Sequence, residues 1–117
     1  MVKHKYAKGR GFEWEVMDLI RPGFPLVVRS AGSHGVVDVT AIRKGEVWII
    51  QCKTDGSISR EERDGLLELG KKLTSEDGSF QVIPCHAYKD RGNIIIERLK
   101  PEARHIKLNG DKLVSEY

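Results

Sequence analysis

No stretch of this 117-residue chain approaches the roughly 20 consecutive apolar residues that a membrane-crossing helix needs, and no membrane association is expected. Cysteine is scarce: Cys52 and Cys85 are the only two, they form no C-x-x-C pair, and neither a zinc knuckle nor a redox motif is expected. Both are read as buried free thiols. The four histidines, His4, His34, His86 and His105, lack H-x-H or H-x-x-x-H spacing, which leaves no preformed transition-metal site and directs any metal to oxygen ligands. The opening MVKHKYAKGRGFEWEV is basic but has no apolar core or small-residue cleavage site. No signal peptide is read there, and a cytoplasmic location is expected. Internal repeats, low-complexity tracts and Pro/Ser-rich linkers are also missing, so residues 1–117 are expected to form a single domain, with 99–117 as a weakly defined appendage.

What is present is an ordinary globular composition: 39% hydrophobic and 32% charged residues, with 20 basic against 17 acidic side chains. A chain of this size can bury roughly two thirds of its unfolded surface without a disulfide staple. The charge is unevenly spread. Residues 1–29 carry six basic against three acidic groups and residues 80–117 seven against five, while residues 59–79 carry six acidic against four basic. A nucleic-acid partner would therefore meet the N-terminal segment and the late strands rather than the central helix.

From Gly11 to about Ile20, Phe12, Val16, Leu19 and Ile20 recur with helical spacing, with Met17 beside them, and Arg21-Pro22-Gly23 stops the helix. A short strand, Pro25 to Arg29, precedes the small-residue loop Ser30-Ala31-Gly32-Ser33-His34-Gly35. Val36 to Arg43 and Glu46 to Thr54 read as a hairpin turning at Lys44-Gly45. A two-residue loop places Asp38 opposite Gln51 and Thr40 opposite Ile49. Val37, Val39, Ala41, Trp48, Ile50 and Cys52 then share an apolar face, while Gln51, Lys53 and Asp38 converge on the other. Ser59 and Glu62 form a capping box that opens a helix with Leu66, Leu69 and Leu73 as its buried stripe. Phe80 to Tyr88 and Asn93 to Leu99 form a further strand pair, with Pro84 marking an edge or bulge. The order predicts an α/β fold: a mixed central sheet of about five strands flanked by helices.

Asp38, Gln51 and Lys53, with Glu13 on the preceding helix, have the ingredients of a divalent-metal phosphodiesterase site. Phosphodiester hydrolysis needs oxygen ligands for the metal, an activated water, and positive charge facing the transition state. Asp38 and Gln51 could supply the ligands and Lys53 the charge; beside a metal that lowers its pKa, Lys53 could equally help to orient or deprotonate the water. A carboxylate between Val37 and Val39 is disfavoured in a strand unless it has a partner or a task. Glu13 alone would also suit the start of a helix, through its dipole. Arg29 and Ser30, in a loop that lets a DNA backbone approach closely, are read as phosphate contacts, and Lys3, Lys5, Lys8 and Arg10 as a basic arm.

The run Val27-Val28-Arg29-Ser30-Ala31-Gly32-Ser33, then Val37-Asp38-Val39, then Ile49-Ile50-Gln51-Cys52-Lys53, resembles the archaeal-type Holliday junction resolvases of the PD-(D/E)xK nuclease superfamily. The resemblance runs from Lys8-Gly9 to the strand at Ile83 to Lys89 and fades after Leu99. It implies a restriction-endonuclease-like fold and a homodimer that makes paired nicks in four-way junction DNA during recombination and repair. Mg²⁺ or Mn²⁺ is the implied cofactor, with no small-molecule cofactor. Carried over, Glu13, Asp38, Gln51 and Lys53 form the catalytic set, Glu13, Asp38, Gln51 and the Cys52 backbone carbonyl the metal ligands, and Arg29 and Ser30 loop groups near the scissile phosphate; Ser33, Lys8 and Arg10 are read with them as DNA contacts. Two positions depart from the family pattern: Gln51 stands where a Glu is usual, so that metal affinity should fall or depend more on Glu13, and Trp14 where an Arg often follows the helix Glu, a phosphate contact for which Arg10 or Lys8 could substitute. The alternatives are a related nuclease acting on duplex, flap or nicked DNA, and a junction-binding protein whose catalysis Gln51 has impaired.

Overall fold

Glycine marks the two places where the chain must reverse most tightly. In the computed structural model, which describes residues 5–30, 35–99, 105–109 and 112–116 and the side chains of 11–30 and 35–99, Gly45 has φ 76° and Arg91-Gly92 have φ 54° and 84°. These turns close strands β2 (Val39–Arg43) on β3 (Glu46–Lys53) and β4 (Gln81–Asp90) on β5 (Asn93–Arg98). The elements before them are helix α1 (Lys5–Ile20), a 3₁₀ turn at Arg21–Gly23 and strand β1 (Leu26–Arg29). Helix α2 (Arg60–Leu73) lies between β3 and β4, and β6 (His105–Asn109) and β7 (Lys112–Glu116) follow β5. The strands lie in one sheet in chain order, antiparallel throughout except for the parallel β3–β4 pair. That pair requires a crossover, and α2 supplies it.

Both sheet faces are covered, because alternate residues of β3 bury into different layers. Trp48 and Ile50 pack with Phe12, Val16, Met17 and Ile20 of α1, while Val47 and Ile49 pack with Leu66 of α2. Phe12, Val16 and Leu66 are at most 2% exposed, and each such side chain contributes about 2 kcal/mol through removal from water. The helical face expected on α1 and the Trp48 core position are both found. Cys85 is buried, Cys52 half-buried, and both are free thiols.

The expected mixed sheet with flanking helices is present, and the C-terminal hairpin extends it, with Ile96 opposite Leu108 and Leu108 opposite Leu113. Four expectations change. Helix α1 starts at Lys5 rather than Gly11, so Lys5, Lys8 and Arg10 belong to its first turns and not to an extended arm. The apolar spacing that marks the helix begins only at Phe12, but a glycine such as Gly9 or Gly11 costs a helix only about 1 kcal/mol, which burial of the later turns outweighs. Leu73 is 52% exposed, since α2 ends there and its stripe finishes at Leu69. Pro84 lies in an interior strand, but only Leu99 N–H reaches it from the β5 side, at the point where that ladder runs out. Its missing donor is lost where little pairing remains. The fourth change concerns Asp38 and belongs to the site.

Candidate active site

The site assembles at the end of the sheet where β3 approaches α2. Strand β2 begins at Val39, not Val36, because the chain bends at Asp38. The hairpin register, Val39 opposite Ile50 and Thr40 opposite Ile49, is the expected one and would carry on to Asp38 opposite Gln51. Instead Asp38 N–H donates to the Ile50 carbonyl at 2.8 Å, one residue out of step. A one-residue slip turns the preceding side chains to the other face. Val37 accordingly packs with Val36 in the α2 layer, away from Val39 and Ala41 in the α1 layer.

The bend holds Asp38 from three directions. Its carbonyl accepts the Ser30 N–H at 2.9 Å, its own N–H is held by Ile50, and its Oδ2 accepts the Cys52 N–H at 2.8 Å. Burial pushes the Asp38 carboxyl above its ordinary range; the Cys52 N–H and the positive charge of Lys53 oppose that shift, and the charge of Glu62 adds to it. Glu13 reaches the site from α1. Because the helix starts at Lys5, Glu13 lies beyond its second turn, and the dipole of the N-terminus does not account for it. Burial, followed by the negative charge of Asp38, raises the Glu13 carboxyl, against the pull of Arg29. Arg29 Nη1 donates to Glu13 Oε1 at 3.3 Å, and its guanidinium lies 5.6 Å from the centre of the Trp14 ring.

Gln51 is 7% exposed, and its Oε1 is buried with no hydrogen-bond partner. An amide oxygen left in that state is costly unless a further group meets it. Cys52 turns its side chain into the α1 layer, as expected, and burial pushes its thiol far above the usual range, so sulfur contributes neither nucleophile nor ligand. Lys53 Nζ lies 2.7 Å from Glu62 Oε2 on the first turn of α2. Among the described residues, no three His, Cys, Asp or Glu side chains gather into a metal cluster.

Glu13 and Arg29, Asp38 and Cys52, and Asp38 and Ser30 are thus in direct contact, and the charges of Glu13 and Lys53 act on or with that of Asp38. Gln51 precedes Cys52 on β3, and its side-chain oxygen has no hydrogen-bond partner among the described residues. The side chains of Lys8 and Arg10 and the whole of Ser33 lie outside the described residues. Sequence reasoning missed Glu62, read only as part of a capping box. Its partnership with Lys53 depends on how the β3–α2 loop folds back, and no spacing rule reports that.

Carboxylate, amide and backbone carbonyl oxygens are hard donors, which suit a hard divalent cation rather than a soft one. Comparison with known proteins points the same way. Residues 4–78 match the family described as archaeal Holliday junction resolvase (Hjc). The chain is also 42% identical over 74 residues to the crossover junction endodeoxyribonuclease Hjc of Methanocaldococcus jannaschii, a match covering 60% of this chain and 55% of that protein. The match therefore spans only about half the length of that relative.

Proposed function

The chain belongs to the archaeal Holliday junction resolvase family, and on that footing we propose that it is a metal-dependent, structure-selective DNA endonuclease that resolves four-way junctions by paired nicks. The observation that carries this reading is the Asp38 bend. It aims a half-buried carboxylate at the end of β3, where Gln51 keeps a buried oxygen without a partner. Glu13, Asp38, Gln51 and Lys53 all fall inside the segment matched to the family.

Glu13, Asp38, Gln51 and the Cys52 carbonyl would hold the ion, Mg²⁺ or Mn²⁺. A divalent ion bound there supplies charge for a phosphate oxygen and a more acidic water. The chain's own residues do the rest. The Cys52 N–H fixes Asp38 in orientation, Arg29 restrains Glu13, and the Lys53 ammonium faces the charge that develops on the phosphate. Arg29, Ser30 and Ser33, with Lys8 and Arg10 of α1, approach the DNA backbone. Paired nicks in opposing strands need two such sites, so the acting species is a homodimer, and residues 1–117 serve in each copy as one nuclease domain.

The test is an end-labelled four-way junction beside a matched linear duplex, a flap and a nicked duplex, each with Mg²⁺ or Mn²⁺ and with chelator. Symmetry-related nicks in the junction alone, dependent on metal, are expected. Equal cutting of duplex, flap or nicked DNA would identify a different nuclease of the same superfamily. One observation favours a second reading: Gln51 brings no charge where an acid would, and among the described residues Glu13 and Asp38 are the carboxylates left to hold an ion there. A shifted junction that is never cut would make the protein a binding module.

A further inference from the structure

The capping box that opens α2 holds more than a helix. Ser59 Oγ accepts the Glu62 N–H at 3.1 Å and Glu62 Oε1 accepts the Ser59 N–H at 3.0 Å, which satisfies the cap in full. Capping asks nothing of the second carboxylate oxygen, and glutamine fills this position of the motif as well as glutamate does. Yet Glu62 Oε2 lies 2.7 Å from Lys53 Nζ, with the two side chains 28% and 30% exposed. Each Glu62 oxygen thus has its own partner, Oε1 the backbone of Ser59 and Oε2 the ammonium of Lys53.

Lysine is a compact charge on a flexible four-carbon stem, and left alone at a strand end its ammonium would sample many positions. The other acid close to it, Asp38, has Oδ2 tied to the Cys52 N–H. Glu62, by contrast, is itself anchored to backbone at Ser59, and so offers a fixed point across the loop between β3 and α2. We infer that Glu62 is a positioning residue, clamping the Lys53 ammonium where it meets the scissile phosphate, so that the first turn of α2 helps to build the site on β3. This rests on the nuclease reading above. A misplacement of about 1 Å in such a group can cost roughly 100-fold in rate.

Two variants separate the cap from the clamp. Glu62→Gln keeps an oxygen for the Ser59 N–H but turns an NH₂ toward the ammonium, whereas Ser59→Ala removes the hydroxyl cap and leaves the Lys53–Glu62 pair in place. Single-turnover cleavage of a four-way junction with Mg²⁺, junction affinity with chelator, and thermal unfolding are measured for each. Glu62→Gln is expected to cut roughly 10- to 100-fold more slowly, with affinity and melting temperature close to wild type. Ser59→Ala is expected to melt lower and cut at the wild-type rate. Full-rate cutting by Glu62→Gln, or a loss matched by Ser59→Ala, overturns the inference and leaves the nuclease reading standing. A wild-type protein that cuts no DNA with any divalent metal overturns both.

Discussion

Asp38 shows what a site costs at the level of one side chain. Its carboxyl is held above the ordinary carboxylate range chiefly by burial, so the folded chain binds that proton more tightly than the unfolded one. The sign follows: stability is present at acid pH and is lost as pH rises through the raised value. Asp38→Asn keeps an oxygen for the Cys52 N–H and removes the charge. It should abolish cutting, leave junction binding intact, and melt above wild type at neutral pH without metal. The gap should close in acid, where wild-type Asp38 is also neutral. Melting curves across pH, beside a cleavage assay, check this; a variant that still cuts would displace Asp38 from the site. Gln51 makes the opposite case. Gln51→Glu adds a charge to the donor set and should lower the Mg²⁺ concentration for half-maximal cleavage by roughly 10-fold. An unchanged metal titration would place Gln51 away from the ion.

Among the elements, α2 is the most exacting fit, and two of its glycines are expected to respond in opposite directions. A Cβ on Gly70 would meet Pro84 Cδ and the Val82 carbonyl at 3.0 Å, both parts of a buried strand that cannot step aside. Gly70→Ala should destabilise by about 1–2 kcal/mol, overpacking outweighing the gain in helix propensity. A Cβ on Gly65 would find only Val36 Cγ1 at 3.7 Å, an ordinary contact, so Gly65→Ala should stabilise by about 0.5–1 kcal/mol. Denaturant unfolding of the two variants settles both signs. Much of this architecture was legible in the residues: the Lys44-Gly45 turn, the β2–β3 register from Val39 on and the capping box follow from periodicity and turn chemistry. The bend at Asp38 was not, because alternation assumes an unbroken strand, and Val36 to Arg43 is apolar enough to hide a slip. Nor was the start of α1, because the apolar spacing that marks the helix begins only at Phe12 while the helix itself begins at Lys5. The Lys53–Glu62 pair joins two elements across a loop, and only tertiary placement brings it about.

At the level of the whole molecule, the carboxylates Glu13 and Asp38 come from a helix and a strand edge and are brought near each other only by folding. On the proposed reading, a divalent ion held by them would act on the native state alone. Mg²⁺ or Mn²⁺ at about 100 times its dissociation constant should stabilise the wild-type fold by about 2.7 kcal/mol, and Asp38→Asn should lose most of that gain. Thermal unfolding with and without metal measures it; equal shifts in the two proteins would mean that the ion binds elsewhere.

The single parallel seam between β3 and β4 has a consequence for how the molecule comes into being. On either side of it the strands are linked by local hairpins, which close in microseconds, whereas pairing Glu46 with Gln81 must wait until α2 has closed the long loop between them. The seam is then the slow, high-contact-order event, and the substitutions that retard folding most should lie along Val47, Val82 and Leu66 rather than at the turns. Lys53 and Glu62 bracket the start of that closure, so the same step that completes the sheet brings the lysine to its clamp.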